Sequence, residues 1–295
     1  MTMKMKVGFV GVGDMGGPMV LNLLKAGFEV IAHDRNADCQ AAVVDAGAEA
    51  ASSAREVADR AELVMVCLDK EEAMREVAKA CAKGNAVKIY ADLSTSGPTM
   101  AKALREQFAS AQTAMLDAPV SGYISQAVDG TLTVMVSGHK QAFERAEPAV
   151  NAIGKHVFWL GDLPGGGQMM KVANNYVNNV QTLGTSEAIV MGMQFGLKPE
   201  DMFKVMNVST GRNSQTEGQL RDAVTKRDFC LGAKISISLK DMTVATKEAQ
   251  RLEVPATTGE AARAALQGAV ETGGNKQRSS AVFKYVAARA GVKLE

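Results

Sequence analysis

Short apolar runs alternate with amphipathic stretches from residue 1 to about 163. The runs KVGFVG, EVIAHD, ELVMVCL, VKIYADL, AMLDAP, LTVMVSG and HVFWLG have strand length, and the segments 14–26, 37–46, 70–82, 97–109 and 139–153 between them show helical spacing. Strands that are apolar almost throughout must be covered on both faces. The pattern therefore predicts a mainly parallel sheet with helices on either side. After Gly165 the rhythm changes. Helical periodicity continues over 166–195, 199–208, 234–252, 256–272 and 279–290, with few strand-like runs. The expected organisation is an α/β domain over 1–163 followed by an all-α domain over 164–295. The cluster GDLPGGG (161–167) marks the change, because proline and glycine punctuate regular structure.

The first strand and helix carry a specific chemistry. In VGFVGVGDMGGPM, Gly11, Gly13 and Gly16 stand in GxGxxG register, directly after strand 5–10 and at the start of helix 14–26. Gly11 permits the tight turn, Gly13 lets the backbone approach a pyrophosphate, and Gly16 lets the helix pack closely on the strand. Val12, Asp14 and Met15 complete the loop expected to contact the cofactor at the helix N-terminus, where N–H groups and the dipole favour anions. A second strand ends at HDRN. Asp34 lies about 20 residues on, where a carboxylate bonds ribose hydroxyls. Together these parts predict a dinucleotide site. Its filled acidic position favours NAD, with NADP possible because Arg35 either stacks on adenine or pairs with a 2′-phosphate.

GGGQMMKVANNYVNN (165–179) poses a different question. Glycine and asparagine weaken helix interiors, glycine by about 1 kcal/mol relative to alanine, yet both crowd one helical segment. At helical spacing Lys171, Asn174, Asn175 and Asn178 share a face, while Val172, Ala173, Tyr176, Val177 and Val180 are placed to pack. A lysine beside a stripe of amides offers an acid/base group and fixed hydrogen-bonding partners to a small polar molecule. Asn178 and Asn179 are equally readable as solvated or as making interdomain hydrogen bonds.

These segments resemble the β-hydroxyacid dehydrogenase family, which includes 3-hydroxyisobutyrate dehydrogenase. The resemblance spans nearly the whole chain through GFVGVGDMGGPMVLNLLKAG, DLSTSGP (92–98), DAPVSGYISQAVDGTL (117–132), GGGQMMKVANN and SLKDMTVA (238–245). It implies a Rossmann-type domain joined by one long interdomain helix to an all-α domain. The implied activity is hydride transfer between NAD(P) and a small 3-hydroxy carboxylic acid or its semialdehyde. By position it makes Lys171 the general acid/base, with Ser121, Gly122 and Asn175 at the substrate. Tyr123 stands where the family commonly has glycine. It narrows the pocket, adds a phenol hydrogen bond, or turns outward. The resemblance also puts Thr95 near the nicotinamide ribose, Leu68 as an apolar wall on the cofactor, and Lys240 reaching it from the helical domain. Plainer readings stand beside these: Ser121 as a cap of the helix beginning near 122, Ser94 to Ser96 as caps of 97–109, and Lys240–Asp241 as a surface pair. Arg212 in STGRN is either an anion contact or a solvated turn residue.

Composition narrows the rest. A formal charge of +1 offers no basic field for nucleic acid. No apolar run reaches the roughly 18 residues that cross a bilayer. The start MTMKMKVGFVGVG reads as a strand, not an export signal, so a cytoplasmic protein with free thiols at Cys39, Cys67, Cys81 and Cys230 is expected. The three histidines form no metal-binding spacing. The 17 methionines suit a core or a subunit interface, and the family's helical domain implies a homodimer or homotetramer. Two alternatives remain: an NADP-dependent semialdehyde reductase, and a non-catalytic dinucleotide-binding module. Neither the particular acid nor the direction of reaction is written in the sequence.

Overall fold

The computed structural model describes residues 5–294. The chain divides into two compact units, one ending at Lys171 and the other beginning at Val172. In the first unit, β1 (Val7–Val10), β2 (Val30–His33), β3 (Glu49–Ala50), β4 (Leu63–Val66), β5 (Ile89–Asp92) and β6 (Ala114–Asp117) form a sheet in the order β3-β2-β1-β4-β5-β6. Every pairing in it is parallel. The intervening helices are α1 (Gly16–Lys25), α2 (Ala37–Asp45), α3 (Ala54–Arg60), α4 (Glu71–Cys81) and α5 (Pro98–Gln107). A smaller sheet follows, β7 (Val120–Ser121), β8 (Leu132–Val136) and β9 (Gly154–Trp159), with α6 (Ile124–Val128) and α7 (Lys140–Ile153) between its strands. In it β7 runs antiparallel to β8, and β9 runs parallel to β8.

The two-residue period of the strands explains why their sequences are apolar throughout. Phe9, Leu63, Met65, Ile89 and Ala91 face one core, where Met19, Leu23, Phe143 and Val150 from α1 and α7 pack. Val10, Val64, Val66 and Tyr90 face the other, against Val57, Met74, Ala78, Met100 and Leu104 from α3, α4 and α5. The strand order reverses direction between β1 and β4. That switch point leaves a crevice at the carboxyl ends of the strands, where open α/β sheets bind ligands.

The long helix α8 (Gly166–Phe195) begins in the first unit and continues into the second. The second unit adds α9 (Pro199–Asn207), α10 (Ser214–Glu217), α11 (Gln219–Thr225), α12 (Ile235–Arg251), α13 (Thr257–Gly273) and α14 (Ala281–Arg289). Ile189, Val190, Phe203, Leu220 and Phe283 form one of its cores. Ile235, Met242, Leu266 and Val282 form another, with Tyr176 and Val180 of α8 packed on it. One expected packing residue fails: Val177 is 52% exposed. Buried positions run through 172, 179, 182, 186 and 189, seven, three, four and three residues apart, so Asn179 is on the buried stripe and Val177 is off it. Asn179 meets its burial by donating to the carbonyl of Asn175 at 2.8 Å. Among the described residues no helix is long and apolar enough to cross a membrane.

Candidate active site

The three loop glycines answer to different demands. Gly11 has φ +90°, and a Cβ there would lie 2.2 Å from the Cys67 carbonyl oxygen. A Cβ on Gly16 would lie 1.9 Å from the Gly11 carbonyl oxygen, so α1 could not approach β1 as it does. Gly13 is exposed, and a Cβ there would meet nothing within 4 Å. The chain's own packing thus requires glycine at 11 and 16 but not at 13. No side chain caps the N-terminus of α1, and no acidic residue stands in its first turn, which leaves its N–H groups and dipole for an anion.

Asp34, at the end of β2, is held in this loop by both carboxylate oxygens. Oδ2 accepts from the Val12 N–H at 2.7 Å and Oδ1 from the Asn36 N–H at 2.8 Å. Gly11, Asp34, Arg35 and Leu68 all line one cleft of about 230 Å³, with Ala73, Glu76 and Val77 of α4 on its far wall. Arg35 is largely exposed and lies 3.9 Å from the Glu76 carboxylate. Apolar walls, an anchored carboxylate and an uncapped helix start fit the adenosine and phosphate portions of a dinucleotide. Dinucleotide binding is thus supported by space and chemistry as well as by glycine spacing.

A buried polar network lies at the ends of β5 and β6. Asp92 and Asp117 are register partners in adjacent strands, 0% and 4% exposed. Asp92 accepts from the Ser94 N–H (3.0 Å) and the Ser96 hydroxyl (3.1 Å). Asp117 accepts from the Gly165 and Gln168 N–H groups (3.2 and 3.1 Å), and the Ser137 hydroxyl lies 3.0 Å from its Oδ1. A carboxylate from a neighbouring strand therefore satisfies N–H groups at the start of α8, where the helix dipole favours negative charge. The glycines seat this turn: a Cβ on Gly165 would lie 2.9 Å from the Pro98 carbonyl oxygen and one on Gly167 2.3 Å from that of Met135. Lys171 follows one turn later and is 8% exposed.

The serine caps offered as the plainer reading of 94–96 are not formed. Gly97 is the N-cap of α5 without a side-chain bond, Ser94 Oγ accepts from the Leu68 N–H at 3.0 Å, and Ser96 faces Asp92. Thr95, half-buried, stands between these anchored neighbours.

Burial lifts Asp92 from the ordinary carboxylate range to about 6, opposed by its bonds from Ser94 and Ser96. A carboxyl whose folded pKa is raised adds stability below its unfolded pKa and loses it as pH rises through about 6, here up to about 3 kcal/mol. Replacing Asp92 by Asn removes that slope. The Tm difference between D92N and the wild type should therefore shift in favour of the variant from pH 4 to pH 8. A pH-independent difference in thermal melts would refute the assignment.

Ser121 lies in β7, paired with Thr133, and α6 starts at Ile124 with Tyr123 as its N-cap. Ser121 is therefore not the cap of this helix. Gly122 is exposed with φ +148°, and a Cβ would press on Leu132 at 2.7 Å. Tyr123 is 48% exposed, and its N–H donates to Gln126 Oε1 at 3.0 Å.

In the second unit the Asn175 amide donates to Asp241 Oδ2 at 2.7 Å, and its Oδ1 accepts from Asn174 at 3.3 Å. Asp241 is 9% exposed, so the surface Lys240–Asp241 pair does not describe it; Lys240 beside it on α12 is half-buried. Asn178 accepts from Gln215 at 2.8 Å. Arg212 is an exposed residue paired with Glu217 at 2.7 Å.

The family of NAD-binding domains described for 6-phosphogluconate dehydrogenase matches residues 6–161. The domain described for NADP-dependent 3-hydroxyisobutyrate dehydrogenase matches residues 165–286. The 2-(hydroxymethyl)glutarate dehydrogenase of Eubacterium barkeri is 31% identical, over 100% of this chain and 99% of its own. The NAD-dependent L-serine dehydrogenase of Pseudomonas aeruginosa is 34% identical over 83% of this chain and 85% of its own. The Mycobacterium tuberculosis 3-hydroxyisobutyrate dehydrogenase, in a structure with L-serine, superposes with a TM-score of 0.88 at 27% identity, covering 96% of this chain and 99% of that one.

The chain belongs to the β-hydroxyacid dehydrogenase family.

It is an NAD(P)-dependent oxidoreductase of the 3-hydroxyacid dehydrogenase type, with the Rossmann-type and all-α architecture of that family. The sequence had left Asp92, Asp117 and Gln168 without a part. For the first two a signal was present: VKIYAD and AMLDAP each end an apolar strand on an aspartate.

Proposed function

We propose that this dehydrogenase interconverts a small 3-hydroxy carboxylic acid, of the 3-hydroxyisobutyrate kind, with its semialdehyde, using NAD in preference to NADP. Residues 1–163 hold the dinucleotide, and 164–295 carry substrate contacts and association between copies. Gly11 to Gly16, through Val12, Gly13, Asp14 and Met15, cradle the phosphates at the start of α1. Asp34 accepts from the adenosine ribose, Arg35 borders the adenine, Leu68 forms an apolar wall, and Thr95 and Lys240 bind nearer the nicotinamide. The bound nicotinamide supplies the hydride acceptor. Lys171 takes the proton of the substrate hydroxyl as the carbonyl forms and returns it in the reverse direction. Ser121 and the Gly122 N–H hold the carboxylate, and the Asn175 amide, aimed by Asp241, bonds the reacting oxygen's side of the substrate. Tyr123 sets which substituents fit.

The observation that carries the cofactor preference is the anchoring of Asp34. Fixed by the Val12 and Asn36 N–H groups, its carboxylate has no freedom to swing away from a 2′-phosphate, and the neighbouring Arg35 already faces Glu76. Titration of protein fluorescence with NADH and NADPH should show NADH binding about tenfold or more tightly, a difference of about 1.4 kcal/mol. Asp34→Ala should close much of that gap. NADPH binding as tightly as NADH to the wild type would contradict the preference.

A second copy of the chain is the expected partner, in a homodimer or homotetramer within the cytoplasm. Support comes from Met191, Phe195, Val205 and Val208, exposed by 62 to 88% on α8 and α9 and just beyond. Light scattering at micromolar concentration tests it, and a monomer would exclude it.

A further inference from the structure

We infer that Gln168 is a positioning residue for the proposed acid/base: its side-chain amide locks the first turn of α8, and with it Lys171, onto the 94–97 loop that ends β5. The inference rests on the reading of Lys171 given above and adds a residue to it.

Gln168 is 0% exposed, and its side chain makes three hydrogen bonds to one loop. Oε1 accepts from the Ser96 and Gly97 N–H groups, each at 3.0 Å, and Nε2 donates to the Ser94 carbonyl at 2.7 Å. Its own N–H donates to Asp117 at 3.1 Å. One residue thus ties together the end of β5, the end of β6 and the start of α8. The glycines fix how close this turn lies to the sheet, since Gly165 and Gly167 leave no room for a Cβ. The glycine face and the Asp117 bonds to the Gly165 and Gln168 N–H groups set the place of this turn, and the Gln168 side chain adds a directional restraint on rotation about the helix axis. The Gln168 amide opposes that rotation, because three hydrogen bonds of defined direction hold it to one stretch of backbone. Lys171 is three residues on, on the same side of the helix, so the rotation that Gln168 blocks is the one that would re-aim the lysine. The same clamp holds the backbone on both sides of Thr95, so the two residues are set relative to each other. A buried amide hydrogen bond adds only modestly to net stability, whereas a reacting group misplaced by about 1 Å costs on the order of 100-fold in rate.

Two variants separate positioning from bulk stability. Gln168→Met keeps length and volume but removes all three polar contacts. Gln168→Glu restores them only in its neutral form, where one oxygen accepts and the protonated oxygen donates to Ser94. The titratable groups around this position are Asp92 of β5, Asp117 of β6 and Lys171 on α8 itself, all buried; the two carboxyl groups favour the neutral acid and the lysine opposes them, so the pH at which Q168E recovers is set by their balance. Each variant is assayed with whichever of 3-hydroxyisobutyrate, 3-hydroxypropionate, L-serine, glycerate or threonate the wild-type enzyme oxidises. Folded fraction is checked by circular dichroism at each pH, and Lys171→Ala is run in parallel.

The expected result is a kcat for Q168M lowered about 10- to 100-fold, KM for NAD and acid within about threefold, and a loss that does not vary with pH. For Q168E the loss relative to wild type should shrink as pH falls. Wild-type kcat in both variants, or a loss confined to KM, overturns the inference. So does a Q168E deficit as flat with pH as that of Q168M. If those failures occur while Lys171→Ala is inactive, Gln168 alone is misassigned. If Lys171→Ala itself turns over, the acid/base reading falls and the positioning role with it.

Discussion

Lys171→Ala should lower kcat by about 100- to 10,000-fold while leaving the dissociation constant for NADH within about twofold. Removing a hydride from an alcohol carbon leaves a proton that must go to a group already in place, and unpositioned water is a poor substitute. Lys171 is nine-tenths buried at the start of α8, on a turn seated by glycines and anchored through Asp117. The loss should appear in kcat, because the role proposed for the lysine is at the reacting hydroxyl, and it does not line the adenosine cleft. Lys171→Arg should be almost as inactive: a guanidinium keeps its proton and cannot serve as the base. Stopped-flow turnover together with NADH fluorescence titration reads both quantities. A variant within tenfold of wild-type kcat, or one that loses NADH binding instead, contradicts the assignment.

The second large effect is a contrast within the glycine loop. Gly13→Val should weaken NADH binding by about 100-fold or more with Tm nearly unchanged, because a side chain there meets only open space in the protein itself. Gly16→Val should lower stability by several kcal/mol, since its Cβ falls on the Gly11 carbonyl oxygen, which is backbone and cannot yield as a flexible side chain can. On the proposed reading the first position is glycine for a ligand, whereas the second is glycine for the fold. Differential scanning calorimetry paired with NADH titration separates them. Equal destabilisation by both substitutions, or unchanged NADH affinity in Gly13→Val, would remove the phosphate role of this loop.

What the sequence made legible was local. The strand runs, the glycine register and the distance to Asp34 are patterns within about 30 residues, and the helix of α8 is a long periodic segment. Short elements were missed. Among them is α3, although Ser53 and Glu56 spell a helix start in which the serine oxygen accepts from the Glu56 N–H. The β3 and β7 strands have two residues each, too few for any period to show. The partners of the buried polar groups were invisible for a different reason. Gln168 meets the Ser96 N–H across 72 residues of sequence and Asp117 across 51. Asn175 meets Asp241 across 66. No propensity encodes such contacts. The excess of glycine and asparagine in 165–179 did signal something non-standard, and its causes proved mixed. The glycines serve close packing in the first unit, Asn179 bonds its own helix, and Asn175 is held by an aspartate on α12.

The most direct test of the central claim is the absorbance of reduced nicotinamide on mixing enzyme, NAD and each acid of the panel, repeated with NADP. Reduction is expected with at least one 3-hydroxy acid, faster with NAD, and abolished by Lys171→Ala. No reduction of either cofactor by any of these acids, from an enzyme shown to bind NADH, would contradict that claim.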